Sequence, residues 1–175
     1  MFLENDKIRL RAVEPEDLEL LYKWENNPAY WHAGEVRVPY SKYTLKQYIL
    51  NASQDIYESK QLRFMIEPKQ QHDKLAIGTI DLFDLDVFNS RIGVGLLIDE
   101  PYRGNGFAGA SLELVEEYVF GFLKLNQLYA HVAEDNNKSR NLFESRNFQS
   151  SGMLKNWIRS GEGYVNVILY QLFQP

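Results

Sequence analysis

Apolar positions along this chain follow two periods in turn. Ile8, Leu10 and Ala12 alternate with Arg9 and Arg11, the two-residue repeat of a strand with one buried face. Glu14-Pro15-Glu16-Asp17 breaks that repeat and starts a helix, because proline fits a first turn and acids complement the dipole there. Leu18, Leu21 and Tyr22 form the helix's apolar face, and Asn26-Asn27-Pro28 ends it. Tyr30 to Tyr40 carries few regular signals and reads as a loop. A second helix is predicted after Ser41 or Thr44, with Leu45, Tyr48 and Ile49 at helical spacing.

The next segments return to strand patterning. Leu62 to Glu67 is predicted as a strand, Pro68 to Lys74 as a polar turn, and Leu75 to Phe83 as the returning strand. Asp84 to Ser90 reads as another turn, before an apolar strand ending at Ile98. Short turns between these three strands predict an antiparallel meander. A glycine-rich turn and an amphipathic helix (Leu112, Val115, Val119, Phe122) follow. Gln127 to Ala133 is then a strand that should run parallel to the one before that helix. Ser139 to Arg146 is a short helix, with Asn147 suited to its left-handed cap. Phe148 to Ile158 and Tyr164 to Phe173 form a last hairpin around Ser160-Gly161-Glu162-Gly163. The expected class is α/β (α+β): a mixed, mostly antiparallel sheet with helices on both faces, in one domain over residues 1–175.

Composition narrows the possibilities. The 175 residues are 45% hydrophobic and 14% aromatic, enough for a proper core and too apolar for disorder. No segment approaches the roughly 20 apolar residues that span a bilayer, and the first six residues lack the basic start and apolar middle of a secretory signal. A membrane partner is therefore not expected. Cysteine is absent, which excludes disulfides, thiolate metal sites and a cysteine nucleophile and fits a cytoplasmic protein. The net charge of -5 disfavours a general nucleic-acid surface. His32, His72 and His131 have no metal-ligand spacing, so no metal is expected.

The most informative stretch is Arg103-Gly104-Asn105-Gly106-Phe107-Ala108-Gly109, between an apolar strand and a helix. Glycines there let a ligand approach the backbone, and the unbonded amides of a helix start suit a phosphate or pyrophosphate. The run also matches the G-x-G-x-x-G of dinucleotide folds, with Glu134 about where a ribose-binding acid would sit. Asp99 to Arg103 intervene between the strand and the first glycine, however, and hairpins precede it, so a doubly wound parallel sheet cannot be assembled. A triphosphate P-loop lacks its Gly-Lys-Ser/Thr. A glycine-rich helix start without any ligand is the remaining alternative.

Arg103-Gly104-Asn105-Gly106-Phe107-Ala108 resembles the Arg/Gln-x-x-Gly-x-Gly/Ala motif of the GNAT superfamily of N-acetyltransferases. Asp135-Asn136-Asn137-Lys138-Ser139 resembles that family's Glu-Asn-x-x-Ala/Ser segment, and Arg146-Asn147-Phe148 its Lys-x-Gly-Phe. Ile8-Arg9-Leu10-Arg11 with Glu16-Asp17-Leu18 is similar to the branch of ribosomal-protein alanine and spermidine/spermine acetyltransferases. Trp24-Glu25-Asn26-Asn27, Tyr30-Trp31 and Gly163-Tyr164-Val165-Asn166 look more like the polyamine members. The resemblance covers nearly the whole chain. It implies the GNAT fold, with about seven strands and four helices, and acetyl-CoA as co-substrate. It also implies that the amides of Arg103, Gly104, Asn105, Gly106, Phe107, Ala108 and Gly109 cradle the pyrophosphate. Leu96, Leu97 and Ile98 would offer main-chain groups to the pantetheine arm, Asn136 would hydrogen-bond that arm, and Ser139 would lie alongside.

Direct attack of a neutral amine on the thioester needs no covalent intermediate, in keeping with the lack of cysteine. A main-chain N–H near Leu96 or Leu97 is the expected oxyanion partner, an effect worth roughly 3 kcal/mol. Gly93 and Gly95 would either allow a bulge that aims it or give room for close packing. Many relatives protonate the departing sulfur with a tyrosine where this chain has Phe143. Either the thiolate, with a thiol pKa near 8.5, leaves unaided, or Tyr129 or a water assists. Candidate carboxylates for the amine are Glu35, in the loop expected to rim the acceptor, and Asp81, Asp84 and Asp86 at a strand end and turn. His131 is mid-strand and reads as a core histidine, while His32 beside Trp31 and the aromatics Tyr30, Tyr40 and Tyr43 are candidates for the acceptor pocket. The resulting expectation is a cytoplasmic N-acetyltransferase acting on a polyamine-like small amine or a protein N-terminus. The alternative is a non-catalytic CoA- or polyamine-binding regulator on the same fold. The apolar C-terminal strands (Val165, Val167, Leu169) fit either core or a homo-oligomer interface.

Overall fold

A computed structural model describes residues 3–31, 38–52, 55–70 and 75–175. Its seven strands are β1 (Ile8–Arg11), β2 (Leu62–Pro68), β3 (Gly78–Asp86), β4 (Arg91–Ile98), β5 (Gln127–Ala133), β6 (Gln149–Ser160) and β7 (Gly163–Phe173). They lie in one sheet in the order β1-β2-β3-β4-β5-β7-β6. Every neighbouring pair is antiparallel except β4 with β5. The meander, the parallel crossover and the final hairpin thus follow the hydrophobic pattern.

The helices are α1 (Leu18–Glu25), entered through a 3₁₀ turn at Pro15–Asp17, then α2 (Pro28–Trp31), α3 (Lys42–Asn51), α4 (Ile56–Ser59), α5 (Phe107–Glu116) and α6 (Asn137–Ser145). Ser41 caps α3 by accepting from the Thr44 N–H at 3.0 Å. The single turns α2 and α4 go beyond the four helices expected. Four residues are too few to show a 3.6-residue period, and α4 instead rests on Asp55, whose carboxylate accepts from Tyr57 N–H at 2.7 Å. At the end of α6, Asn147 is left-handed (φ 64°). The Phe148 N–H bonds Phe143 O at 3.1 Å and the Asn147 N–H bonds Glu144 O at 3.0 Å, closing the helix as a Schellman motif.

Burial sorts the two faces. Ile92, Val94 and Ile98 of β4 join Leu82, Leu128, Ala130 and Val132 beneath Leu112 and Val115 of α5 and Phe143 of α6. On the other face, Leu21 and Trp24 of α1 and Leu45 and Ile49 of α3 pack on Met65 and Ala76, with Leu97 at the margin. The α1–α3 layer draws on residues from the β1–β4 half of the sheet.

The expected turn at Asp84–Ser90 is shorter than read. β3 runs on to Asp86, and its pairing with β4 shifts register between Phe83 and Asp86. The bulge therefore lies on β3, with Asp84 left-handed at φ 52°, and not at Gly93 or Gly95. Gly93 answers to close packing: a β-carbon there would stand 2.4 Å from the Phe83 ring.

Candidate active site

β4 and β5 are paired only at Arg91–Gln127, Ile92–Leu128 and Gly93–Tyr129. Past that point β4 remains bonded to β3 as far as Ile98, and β5 to β7 as far as Ala133. The two parallel strands thus part at Gly93 and leave a wedge open in the sheet. Backbone alternation decides which groups line it. The Ser90 carbonyl accepts from Gln127 N–H on the β5 side (3.1 Å), and the Asp99 N–H donates to Ile77 O on the β3 side (2.8 Å). Even-numbered residues of β4 accordingly face the wedge and odd-numbered ones face β3. Leu96 offers both N–H and C=O to the gap. Ile98 offers its N–H, since its carbonyl accepts from Arg103 Nε at 2.9 Å. The main-chain groups of Leu97 turn toward β3, so of the expected pair Leu96 is the one that presents an amide.

The glycine loop closes the top of the wedge. Gly104 and Gly106 are left-handed at φ 81° and 78°, a conformation in which any side chain is strained. Asn105 Nδ2 holds the loop by donating to Tyr102 O at 3.1 Å. Arg103 spends its own N–H on Glu100 O (3.2 Å), so the run of free amides starts one residue later than expected. The N–H groups of Gly104, Asn105 and Gly106 have no main-chain partner among the described residues. Those of Phe107, Ala108 and Gly109 form the unbonded first turn of α5, because the first helical bond comes from Ala110 N–H to Gly106 O. Lys7 Nζ stands 2.9 Å from where a Gly106 β-carbon would be. A cation over a run of free amides is what a diphosphate requires. Sequence reading missed Lys7 because only the β1–α5 packing brings it there.

Across the wedge, Asn136 caps α6. Its Oδ1 accepts from Ser139 N–H at 3.1 Å, which fixes the side chain and leaves its amide hydrogens as donors. Phe143, three residues or more into the helix, is buried against Phe148 (ring centroids 5.0 Å) and Tyr170 (6.3 Å). Its ring is a core element.

The carboxylate candidates separate. Asp81 is held by Arg63, with Nε at 2.5 Å, and Arg63 also pairs with Glu25 at 2.5 Å. That carboxylate is engaged as an ion-pair partner. Asp84 and Asp86 are not in a turn but on the bulged end of β3, and they share an open depression of about 460 Å3 with Tyr129 and His131. His131 is exposed rather than a core histidine. Burial raises the Tyr129 hydroxyl above its ordinary value, and the Asp84 charge adds to the shift. Glu35, His32 and His72 lie outside the described residues. A further hub sits at the end of β4. Asp99 accepts from Lys23 Nζ (2.7 Å), Tyr30 Oη (3.1 Å) and the Glu100 N–H (3.0 Å), while the Arg103 guanidinium lies over the Tyr30 ring at 5.3 Å. Burial would raise the Asp99 carboxyl, but the Lys23 ammonium holds it below its usual range.

A family model described as acetyltransferase (GNAT) domain matches residues 7–149. The chain belongs to the GNAT acetyltransferase family. Spermidine N(1)-acetyltransferase of Vibrio cholerae is 28% identical over 153 residues, covering 86% of this chain and 83% of that enzyme. A crystal structure of that species' spermidine N-acetyltransferase with CoA and spermine superposes with a TM-score of 0.85 at 26% identity, over 97% of each chain. Another, described as dodecameric, gives 0.80 at 28% identity over 97% and 95%.

As a GNAT acetyltransferase, the chain uses acetyl-CoA as co-substrate and transfers its acetyl group to a primary amine. The residues present fit that molecule: unbonded amides and a lysine for the diphosphate, an unpaired strand edge for the amide-bearing arm, and a fixed Asn136 donor opposite. The bound thioester supplies the activated acyl carbon. Around it, Leu96 aims a main-chain donor into the fork, and a donor fixed before reaction needs no reorganisation as charge develops.

Proposed function

We propose that this acetyltransferase acts on a small, polyamine-like amine. The fork carries the reading. It leaves the Leu96 amide on the open edge of a wedge that adjoins, on the α1–α3 face, a depression lined by Asp84 and Asp86. Carboxylates there suit a cationic acceptor, and the similarity to enzymes named for spermidine and to a structure holding spermine supports the same choice. Leu96 N–H is the oxyanion donor in this scheme. Leu97 serves through its side chain on the α1–α3 face, and Asp81 positions Arg63. The sulfur leaves as a thiolate or takes a proton from Tyr129 or water, since Phe143 has none to give.

Strands contributed from Ile8 to Phe173 form one sheet, which supports a single domain over residues 1–175. Among the described residues no helix is long and apolar enough to cross a membrane, and the cysteine-free composition supports a cytoplasmic location. Self-association is part of the proposal. β6 is an outer strand with exposed Met153 and Trp157, and a relative with the same fold is described as dodecameric.

The test is an acceptor screen with acetyl-CoA, read as release of free thiol. Diamines and triamines should be turned over more efficiently than a peptide with a free N-terminus. A reversed order would overturn the reading.

A further inference from the structure

The glycine loop has little of its own to hold it in place. A β-carbon added at Gly104 would meet nothing within 4 Å. Asn105 only bonds back to the carbonyls of Tyr102 (3.1 Å) and Arg103 (3.3 Å). On its far side the loop runs into α5. On its near side its place relative to the sheet depends on the five residues from Asp99 to Arg103 that join it to β4. One buried carboxylate organises that segment. Asp99, next to the last residue of β4, is 7% exposed. Its N–H donates to Ile77 O at 2.8 Å, and its carbonyl accepts from Tyr102 N–H at 2.9 Å. Its carboxylate caps the 3₁₀ turn Glu100–Tyr102 by accepting from Glu100 N–H at 3.0 Å.

A carboxylate buried at a strand end costs free energy unless donors surround it. Two of the donors come from other elements: Lys23 Nζ of α1 at 2.7 Å and Tyr30 Oη of α2 at 3.1 Å. The hydroxyl bond fixes Tyr30, whose ring lies 5.3 Å from the Arg103 guanidinium carbon. Arg103 Nε in turn donates to Ile98 O, the last carbonyl of β4, at 2.9 Å. These contacts close a circuit from Ile98 through Asp99, Tyr30 and Arg103 back to Ile98. Arg103 is held on two sides, and Gly104 follows it directly. The circuit therefore sets where the free amides begin, and it does so from α1 and α2, elements remote from the loop in sequence.

We propose that Asp99 is a positioning residue for the diphosphate of acetyl-CoA. Through Tyr30 it holds Arg103, and through the 3₁₀ turn it holds the run of amides from Gly104 at a fixed place beside the open edge of β4. Asp99 acts through these neighbours and not on the co-substrate. The assignment rests on the glycine loop being the diphosphate site and adds what holds that loop.

Calorimetric titration with acetyl-CoA tests this without turnover. Asp99→Asn keeps the side chain's size but loses the charge that binds Lys23, and it should weaken acetyl-CoA about tenfold. Tyr30→Phe keeps the aromatic ring beside Arg103, loses only the tether, and should weaken binding roughly threefold. Both act through one circuit, so the double variant should be no weaker than Asp99→Asn alone. Glu67→Gln is the control for mere loss of stability. That carboxylate is equally buried, at 6% exposure, but it serves Arg9 and Arg11. Its loss should leave acetyl-CoA affinity within about twofold of wild type. In steady state, the KM for acetyl-CoA should rise in Asp99→Asn with kcat nearly unchanged, because the diphosphate is bound alike before and during reaction. Wild-type affinity in Asp99→Asn, losses that add in the double variant, or an equal loss in Glu67→Gln would overturn the assignment. Failure of the diphosphate placement itself would show separately, as no slowing of amide exchange at Gly104 to Gly109 when acetyl-CoA binds the wild-type protein.

Discussion

Lys7 and Phe143 show how far single residues can be read. Lys7 is one lysine among many in the sequence, and its place over Gly106 follows from the packing of β1 against α5. If it faces the diphosphate, Lys7→Met should weaken acetyl-CoA binding roughly threefold at low salt, as expected for an exposed ion pair. The difference should shrink as salt screens the charge, which titration at two ionic strengths would reveal. Phe143 is 4% exposed and ringed by the aromatic side chains of Phe148 and Tyr170. Phe143→Ala should therefore destabilise the protein by about 3–5 kcal/mol in denaturant unfolding. Phe143→Leu should keep kcat within about threefold, because no transition-state contact is lost.

At the scale of elements, the strands and long helices were legible because each repeats its period several times. The glycine turn was legible because few sequences use left-handed glycines before a helix. The one-turn helices were not, and neither was the β3 bulge, since a bulge inserts a residue without changing residue types. Asp84-Leu85-Asp86 reads as turn chemistry until pairing with β4 is known. Of the two β4 glycines, Gly93 is the one that close packing demands, and its partner is the Phe83 ring. Gly93→Ala should cost about 1–3 kcal/mol through the clash with that ring. Adding Phe83→Leu should recover part of the loss, a coupling that a double-mutant cycle would measure.

For the whole molecule, buried carboxylates hold layers together. Asp99 joins α1 and α2 to the end of β4 through Lys23 and Tyr30. Glu67 joins β2 to β1 through Arg9 at 2.5 Å and through Arg11. Burial opposes ionisation of Glu67, but its two arginines keep the carboxyl below its ordinary value, as Lys23 does for Asp99. A group whose folded pKa is depressed stabilises the fold above its unfolded value and loses that contribution as pH falls through the folded one. The melting temperature should accordingly be flat from neutrality to about pH 5 and decline steadily below about pH 4.5. Asp99→Asn should reduce that acid sensitivity while lowering stability at neutral pH.

The central claim concerns main-chain amides, and amide-resolved hydrogen exchange measures them directly. Acetyl-CoA should slow exchange at Gly104 to Gly109 and at Leu96 and Ile98, while Leu97, already bonded toward β3, should change little. Tight binding of acetyl-CoA with no added protection at the glycine loop or at Leu96 would contradict the account.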